Sequence, residues 1–178
     1  MSAAIDAMVL MWAMRALSTA RPKSATDDDL ALQQRAWMLL EMLHDEKRQI
    51  VVPTVAVAEL LAGIPHAQHG QFVAEMQQRF FMPPFDIRAA SVSAKLWQDH
   101  RGLPKADQLS RSVLKADALI IATAKVAGAT DFYSHERKAR RLAELAGLSG
   151  KDLPVHTGNF LHELEWKERL EAARKAGT

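Results

Sequence analysis

Asp6 closes the run Ser-Ala-Ala-Ile-Asp near the start of the chain and is the only polar residue between Ala3 and Met14. Asp117 interrupts an apolar stripe made of Val113, Leu114, Ile120, Ile121 and Ala124. It stands at helical spacing from Leu114 before it and from Ile120 after it, so it lies on that face and not opposite it. Glu59 shares a helix face with Val55 and Ala62, and Glu136 follows the run Asp-Phe-Tyr-Ser-His. Most acids are caps or solvated charges, as Asp27, Asp28 and Asp29 are at the start of a long helical segment. A buried carboxylate without a partner is costly, and several converging at one place also repel one another. A hard divalent cation removes that penalty, and a set of oxygen ligands suits Mg²⁺ or Mn²⁺. Such a centre lowers the pKa of a bound water and stabilises charge building on a phosphoryl group.

The elements around these acids alternate between strand and helix. Short β-branched or apolar runs at 2–6, 49–53, 130–134 and 152–157 read as strands. Segments 7–17 and 27–48 read as helices, the second capped by Thr26, with a polar, turn-rich loop between them. A helix capped by Thr54 follows and stops at Gly63 and Pro65. Segment 66–80 is helical, 81–87 is at most extended because of Pro83 and Pro84, and 88–101 is an amphipathic helix. The helix carrying Asp117, a helix ending at Gly147 and a charged tail helix at 159–177 complete the chain. Strands alternating with helices imply a parallel sheet covered on both faces, whose ligands bind at the carboxyl ends of the strands. Asp6 and Glu136 fall at such ends.

The blocks AIDAMVL, VVPTVAVAELLAG, DALIIATA and GATDFYSHE together resemble the PIN-domain ribonucleases, which include the VapC-type toxins of bacterial toxin–antitoxin pairs. They stand in the family's order and at its approximate spacing. The resemblance implies an α/β fold, an α/β/α sandwich around a central parallel sheet, here with an extra long helix and a C-terminal tail helix. It divides the chain into a nuclease domain at 1–157 and a helical tail at 158–178. It implies Mg²⁺- or Mn²⁺-dependent hydrolysis of RNA, with Asp6, Glu59, Asp117 and Glu136 as catalytic and metal-binding acids. Glu136 takes the place of the family's usual aspartate, and Ser134, a candidate substrate-binding residue, stands where threonine is common. The small polar residues that often follow the first aspartate are Ala7 and Met8 here. The implied partners are RNA, an antitoxin and a second copy of the chain. The alternative is a PIN-fold module that has lost catalysis and binds RNA or protein.

Arg137, Arg140 and Arg141 share a helix face beside Glu136 and are either a solvated basic face or a phosphate-positioning patch. His135 sits beside the acids and is either solvated or in touch with a phosphate. His66 and His69 have helical spacing, but no HExxH motif and no cysteine joins them. The run GLSGKD lacks the first glycine and the Ser/Thr of a phosphate loop, and no GxSxG elbow occurs. Trp12, Trp37, Phe72 and Trp97 read as core, and Phe160, Leu161, Leu164 and Trp166 give the tail an apolar side for packing on the domain, a second copy or an antitoxin.

The 178 residues suit one domain with appendages, and 48% hydrophobic content supports a core without suggesting an integral membrane protein. A net charge of +2 and a pI near 9.0 permit nucleic acid as a partner without requiring it. The absence of cysteine excludes disulfides and thiol chemistry and fits a reducing cytoplasm. The apolar run 7–14 is too short to span a bilayer, and Asp6 stands where a signal peptide carries a basic residue. We therefore expect a soluble, cytoplasmic protein.

Overall fold

The computed structural model describes residues 1–17, 26–108, 110–155 and 160–176. The first strand, β1 (Ser2–Ile5), consists of Ala3, Ala4 and Ile5 behind one serine, all three without exposed surface. Burial on both faces is what a central parallel strand requires. Helix α1 (Ala7–Leu17) begins directly after Asp6, whose carbonyl accepts the first helical bond from the Leu10 N–H at 3.2 Å. Helix α2 (Asp27–Asp45) starts in a reciprocal capping box: Thr26 and Asp29 each bind the other's backbone N–H. The strand β2 (Gln49–Val51) follows, and Phe81 pairs beside it, its N–H donating to the Ile50 carbonyl at 2.9 Å.

Helices α3 (Thr54–Leu61), α4 (His69–Arg79), α5 (Ile87–Asp99) and α6 (Arg111–Val126) then lead to β3 (Ala129–Tyr133). Helix α7 (Arg137–Leu145) connects β3 to β4 (Ser149–Lys151), and α8 (Phe160–Ala176) ends the chain. The four strands are parallel in the order β2-β1-β3-β4. Right-handed crossovers then place α1 and α2 on one face and α5, α6 and α7, which pack on one another, on the other, the expected α/β/α sandwich. Helix α3 touches both α1 and α6, and α4 lies beside α1 and α2. Phe132, Ile5, Leu10, Leu39, Ile120, Ile121 and Leu142 fill its core. At the amino ends of the strands, Arg48 forms an ion pair with Asp131, and Lys151 approaches the same carboxylate at 3.1 Å. Burial raises the Asp131 pKa, but these two cations outweigh it and hold the carboxyl below its ordinary value.

Four details differ from the sequence reading. The last strand is Ser149–Lys151, not 152–157; residues 152–155 are irregular, and His156 and Thr157 lie outside the described residues. A Cβ at Gly150 would meet the Arg140 carbonyl oxygen at 2.5 Å, so glycine lets β4 lie against α7 where a side chain would not fit. Thr54 is the first helical residue of α3 and not its cap; Pro53 holds the cap position in an extended conformation. Trp97 and Val113 are 37% and 40% exposed rather than core. Helix α2 stops at Asp45 rather than at Arg48, with Lys47 turning the chain at a φ of 53°.

Helix α8 lies on α1 and α2. Leu170 is 5% exposed among Ala16, Trp37 and Met38, and Arg174 donates to the Ala16 carbonyl at 2.7 Å. Arg169 reaches Asp45 at 2.9 Å. The side chains of Phe160, Leu161, Leu164 and Trp166 lie outside the described residues. No helix among the described residues is long and apolar enough to cross a membrane.

Candidate active site

Asp6 extends the pairing of β1 with β3, its N–H donating to the Tyr133 carbonyl at 3.0 Å. Its position at the start of α1 turns the carboxylate toward the helix N-terminus, where the backbone N–H groups of Ala7 and Met8 interact with it. Ser134 follows β3, is fully buried, and donates its hydroxyl to Asp6 Oδ2 at 2.8 Å. The Ser134 hydroxyl oxygen in turn accepts the Glu136 N–H at 3.1 Å. Ser134 thus ties the turn that carries Glu136 to the carboxylate at the end of β1. Glu136 occupies the cap position of α7, but its side chain makes no capping bond and is exposed. Asp117 stands in the first half of α6 and is partly buried, with Oδ2 enclosed and without a hydrogen-bond partner. Glu59 lies on the exposed side of α3.

These four acids share one electrostatic neighbourhood. Burial, followed by the charges of Asp6, Glu136 and Glu59, pushes the Asp117 carboxyl up from 3.8 to about 7. Burial raises Asp6 as well and, with Glu136 beside it, outweighs the Ser134 hydroxyl and the two N–H groups that favour the anion. Glu59 is raised by burial and then by Asp6. Among the described residues, no three acidic or imidazole groups converge closely enough to chelate one ion as arranged. The donor chemistry nevertheless fits a hard divalent cation: every group is a carboxylate, each raised pKa reflects a cost that positive charge would relieve, and the enclosed Asp117 Oδ2 lacks the partner that such an ion supplies.

The basic residues after Glu136 diverge. Arg140 Nη1 donates to the carbonyls of Ser134 at 2.8 Å and His135 at 2.7 Å and lies 3.2 Å from Asp152. Its side chain is only 19% exposed, so it holds the acid-bearing turn in place instead of extending into solvent. Arg137 reaches the Ala106 carbonyl at 3.4 Å, and Lys138 the Gln108 carbonyl at 2.9 Å. Arg141 pairs with Glu144 at 2.6 Å. His135 contacts Asp152 through Nδ1 at 3.2 Å, and its ring meets that of Trp12 edge-on at 5.8 Å. Asp152 and Arg35 were not singled out in the sequence. Asp152 follows β4 and so stands at the same carboxyl edge as the acids; placing the strand at 152–157 hid that position. Cavities of about 270 Å³ between α1, α2 and α4 and about 360 Å³ at the start of β2 are lined by none of the four acids.

Two solved structures have a similar fold. One is the VapBC2 complex of Rickettsia felis bound to a fragment of its promoter DNA, with a TM-score of 0.58 and 15% identity, covering 86% of this chain and 100% of that one. The other is a toxin–antitoxin complex of Klebsiella pneumoniae, with a TM-score of 0.53 and 18% identity, covering 78% of this chain and 89% of that one. No curated protein matches the chain by sequence. The PIN domain model matches residues 4–145, a span that includes the end of β1 with Asp6, the acids of α3 and α6, and the turn into α7. With that match over most of its length, and with four parallel strands in the order β2-β1-β3-β4, the chain belongs to the PIN-domain family.

Proposed function

We propose that this chain is a metal-dependent endoribonuclease that hydrolyses RNA phosphodiesters and serves as the VapC-type toxin of a toxin–antitoxin pair. PIN domains are generally nucleases and typically use divalent metal ions. The similarity to toxin–antitoxin complexes supports an antitoxin partner. The observation that carries the reading is the enclosed, unpartnered Oδ2 of Asp117, whose carboxyl is pushed up to about 7 by burial and then by three further carboxylates.

Asp6, Glu59, Asp117 and Glu136 would hold Mg²⁺ or Mn²⁺. A bound cation of this kind activates water and offsets charge on the phosphoryl group. Ser134 orients Asp6, and Arg140 keeps the turn carrying Glu136 rigid through the two carbonyls it binds. Arg137 and Arg141, on the outer part of α7, are the arginines we assign to contact with the RNA backbone. We also propose a nuclease domain at 1–157 with a tail at 158–178, a homodimer, and a cytoplasmic location.

The second reading is a catalytically inactive PIN-fold module that binds RNA or protein. The lack, among the described residues, of three acids at chelating distance favours it, as do Ala7, Met8 and Glu136 in place of the usual residues. An RNA cleavage assay separates the two. The nuclease should cut RNA with Mn²⁺, stop in EDTA, recover when Mn²⁺ is restored, and lose most activity in Asp6→Asn. Full activity in EDTA would sink the metal-dependent mechanism, and no cleavage under any divalent cation would favour the inactive module.

A further inference from the structure

His135 stands at the carboxyl edge of the sheet, between Ser134, which binds Asp6, and the acid Glu136. Its Nδ1 contacts Asp152 Oδ1 at 3.2 Å. A carboxylate only accepts hydrogen bonds, so the contact places the ring proton on Nδ1. In the neutral ring Nε2 is then an acceptor, and it has no partner among the described residues. The support is firm on every side. Asp152 accepts its own Leu153 N–H at 2.7 Å and lies 3.2 Å from Arg140 and 3.6 Å from Arg35. Arg35 in turn donates to the carbonyls of Leu153 and Pro154 at 2.7 and 2.8 Å, and Trp12 braces the imidazole edge-on. The side chain nonetheless remains 42% exposed. An oriented acceptor, held this rigidly and open to solvent beside the acids, needs a donor on its ligand.

We propose that His135, held by Asp152 as the Nδ1–H tautomer, accepts a hydrogen bond from a ribose 2′-hydroxyl through Nε2 and so selects RNA over DNA. The inference deepens the ribonuclease reading and rests on it. Phosphate oxygens are acceptors and offer this nitrogen nothing, whereas the 2′-hydroxyl is a donor that DNA lacks. Two guanidinium groups around one carboxylate leave one positive charge in excess at this end of the sheet edge. That excess favours the phosphate of the same nucleotide. The strand would therefore run from the acids at β1 toward the end of β4. In this arrangement Asp152 is a positioning residue, and His135 is the group that touches the substrate.

The test measures binding of one single-stranded sequence, made as RNA and as DNA, by fluorescence anisotropy in EDTA, where nothing is cut. The wild type should prefer RNA. His135→Phe keeps an aromatic ring but removes the acceptor; it should weaken RNA binding by about five- to tenfold, the worth of one hydrogen bond, and leave DNA binding alone. His135→Gln, whose amide oxygen accepts, should keep most of the preference. Because the ring is partly exposed, both variants should melt near the wild type. An unchanged RNA-to-DNA ratio in His135→Phe overturns the proposal. So does an equal loss on both nucleic acids, which would mark a phosphate contact, or a loss in His135→Gln as large as in His135→Phe. RNA cleavage by the wild type with an unchanged ratio refutes this inference alone; a protein that neither binds nor cuts RNA refutes the ribonuclease reading with it.

Discussion

Replacing Asp117 by asparagine should make the protein more stable above neutral pH when no divalent cation is present. The carboxyl titrates at about 7 in the folded chain and near 3.8 when unfolded. Between those values the folded state holds a proton that the unfolded state has released, so stability falls as pH rises through this window and levels off above it. A difference of about three units corresponds to roughly 4 kcal/mol of destabilisation once Asp117 is fully ionised. Asparagine has nearly the same shape and carries no charge, so it removes the cost from burial and from Asp6, Glu136 and Glu59. It still leaves an amide facing the place where Oδ2 is unpartnered, so we expect a net gain of about 2–4 kcal/mol at pH 8, shrinking to near zero at pH 4. For a chain of this size the gain at pH 8 corresponds to roughly 5–15 °C in melting temperature. Urea unfolding and thermal melts of both proteins in EDTA, from pH 4 to 9, would measure it. Adding Mn²⁺ at pH 8 should narrow the gap by stabilising the wild type and not the variant. A variant less stable than the wild type at pH 8, or a difference that does not change with pH, would refute the claim that Asp117 ionises at a cost.

Glu136→Gln should weaken Mn²⁺ binding measured by calorimetry, while Glu136→Asp keeps part of it; the side chain makes no capping bond, so neither change should move the melting temperature by more than a few degrees. Arg140→Ala should destabilise the fold by about 1–3 kcal/mol in urea titrations because two carbonyls and Asp152 lose their donor, whereas Arg137→Ala with Arg141→Ala should chiefly lower the salt dependence of RNA binding. A stability loss in the Arg137/Arg141 pair equal to that of Arg140→Ala would contradict the division of roles. Leu170→Ala should cost about 2–4 kcal/mol if α8 is an integral part of the domain, and an unchanged melting temperature would show that the helix is not held there in solution.

The features legible in the sequence were those that local chemistry decides. The apolar run 2–5 ends at Asp6 because a strand buried on both faces tolerates no charge until it reaches the sheet edge. The Thr26 and Asp29 pair marks the start of α2 because its hydrogen bonds span only three residues. Asp117 is conspicuous because a carboxylate at i+3 from Leu114 contradicts the face it occupies. Such contradictions are visible without the fold, and so is the family to which they point. The long-range partners were not. The residues of β4, Ser-Gly-Lys, carry no apolar alternation; they become a strand only because β3 offers unpaired groups and Gly150 lets α7 approach. Val113 and Trp97 have the right spacing for a core face, yet lie where their surroundings cover them only in part. The arginines of α7 share a face by spacing, but Arg140 turns back because the carbonyls of Ser134 and His135 and the carboxylate of Asp152 lie within its reach. Sequence by itself determined which acids were out of place and the alternation of elements that gathers them at one sheet edge. The tertiary structure alone decided what surrounds them, since Asp6 meets Ser134, and Arg35 meets Asp152, only when distant segments pack, and a hydrogen bond across that separation leaves no periodicity in the chain.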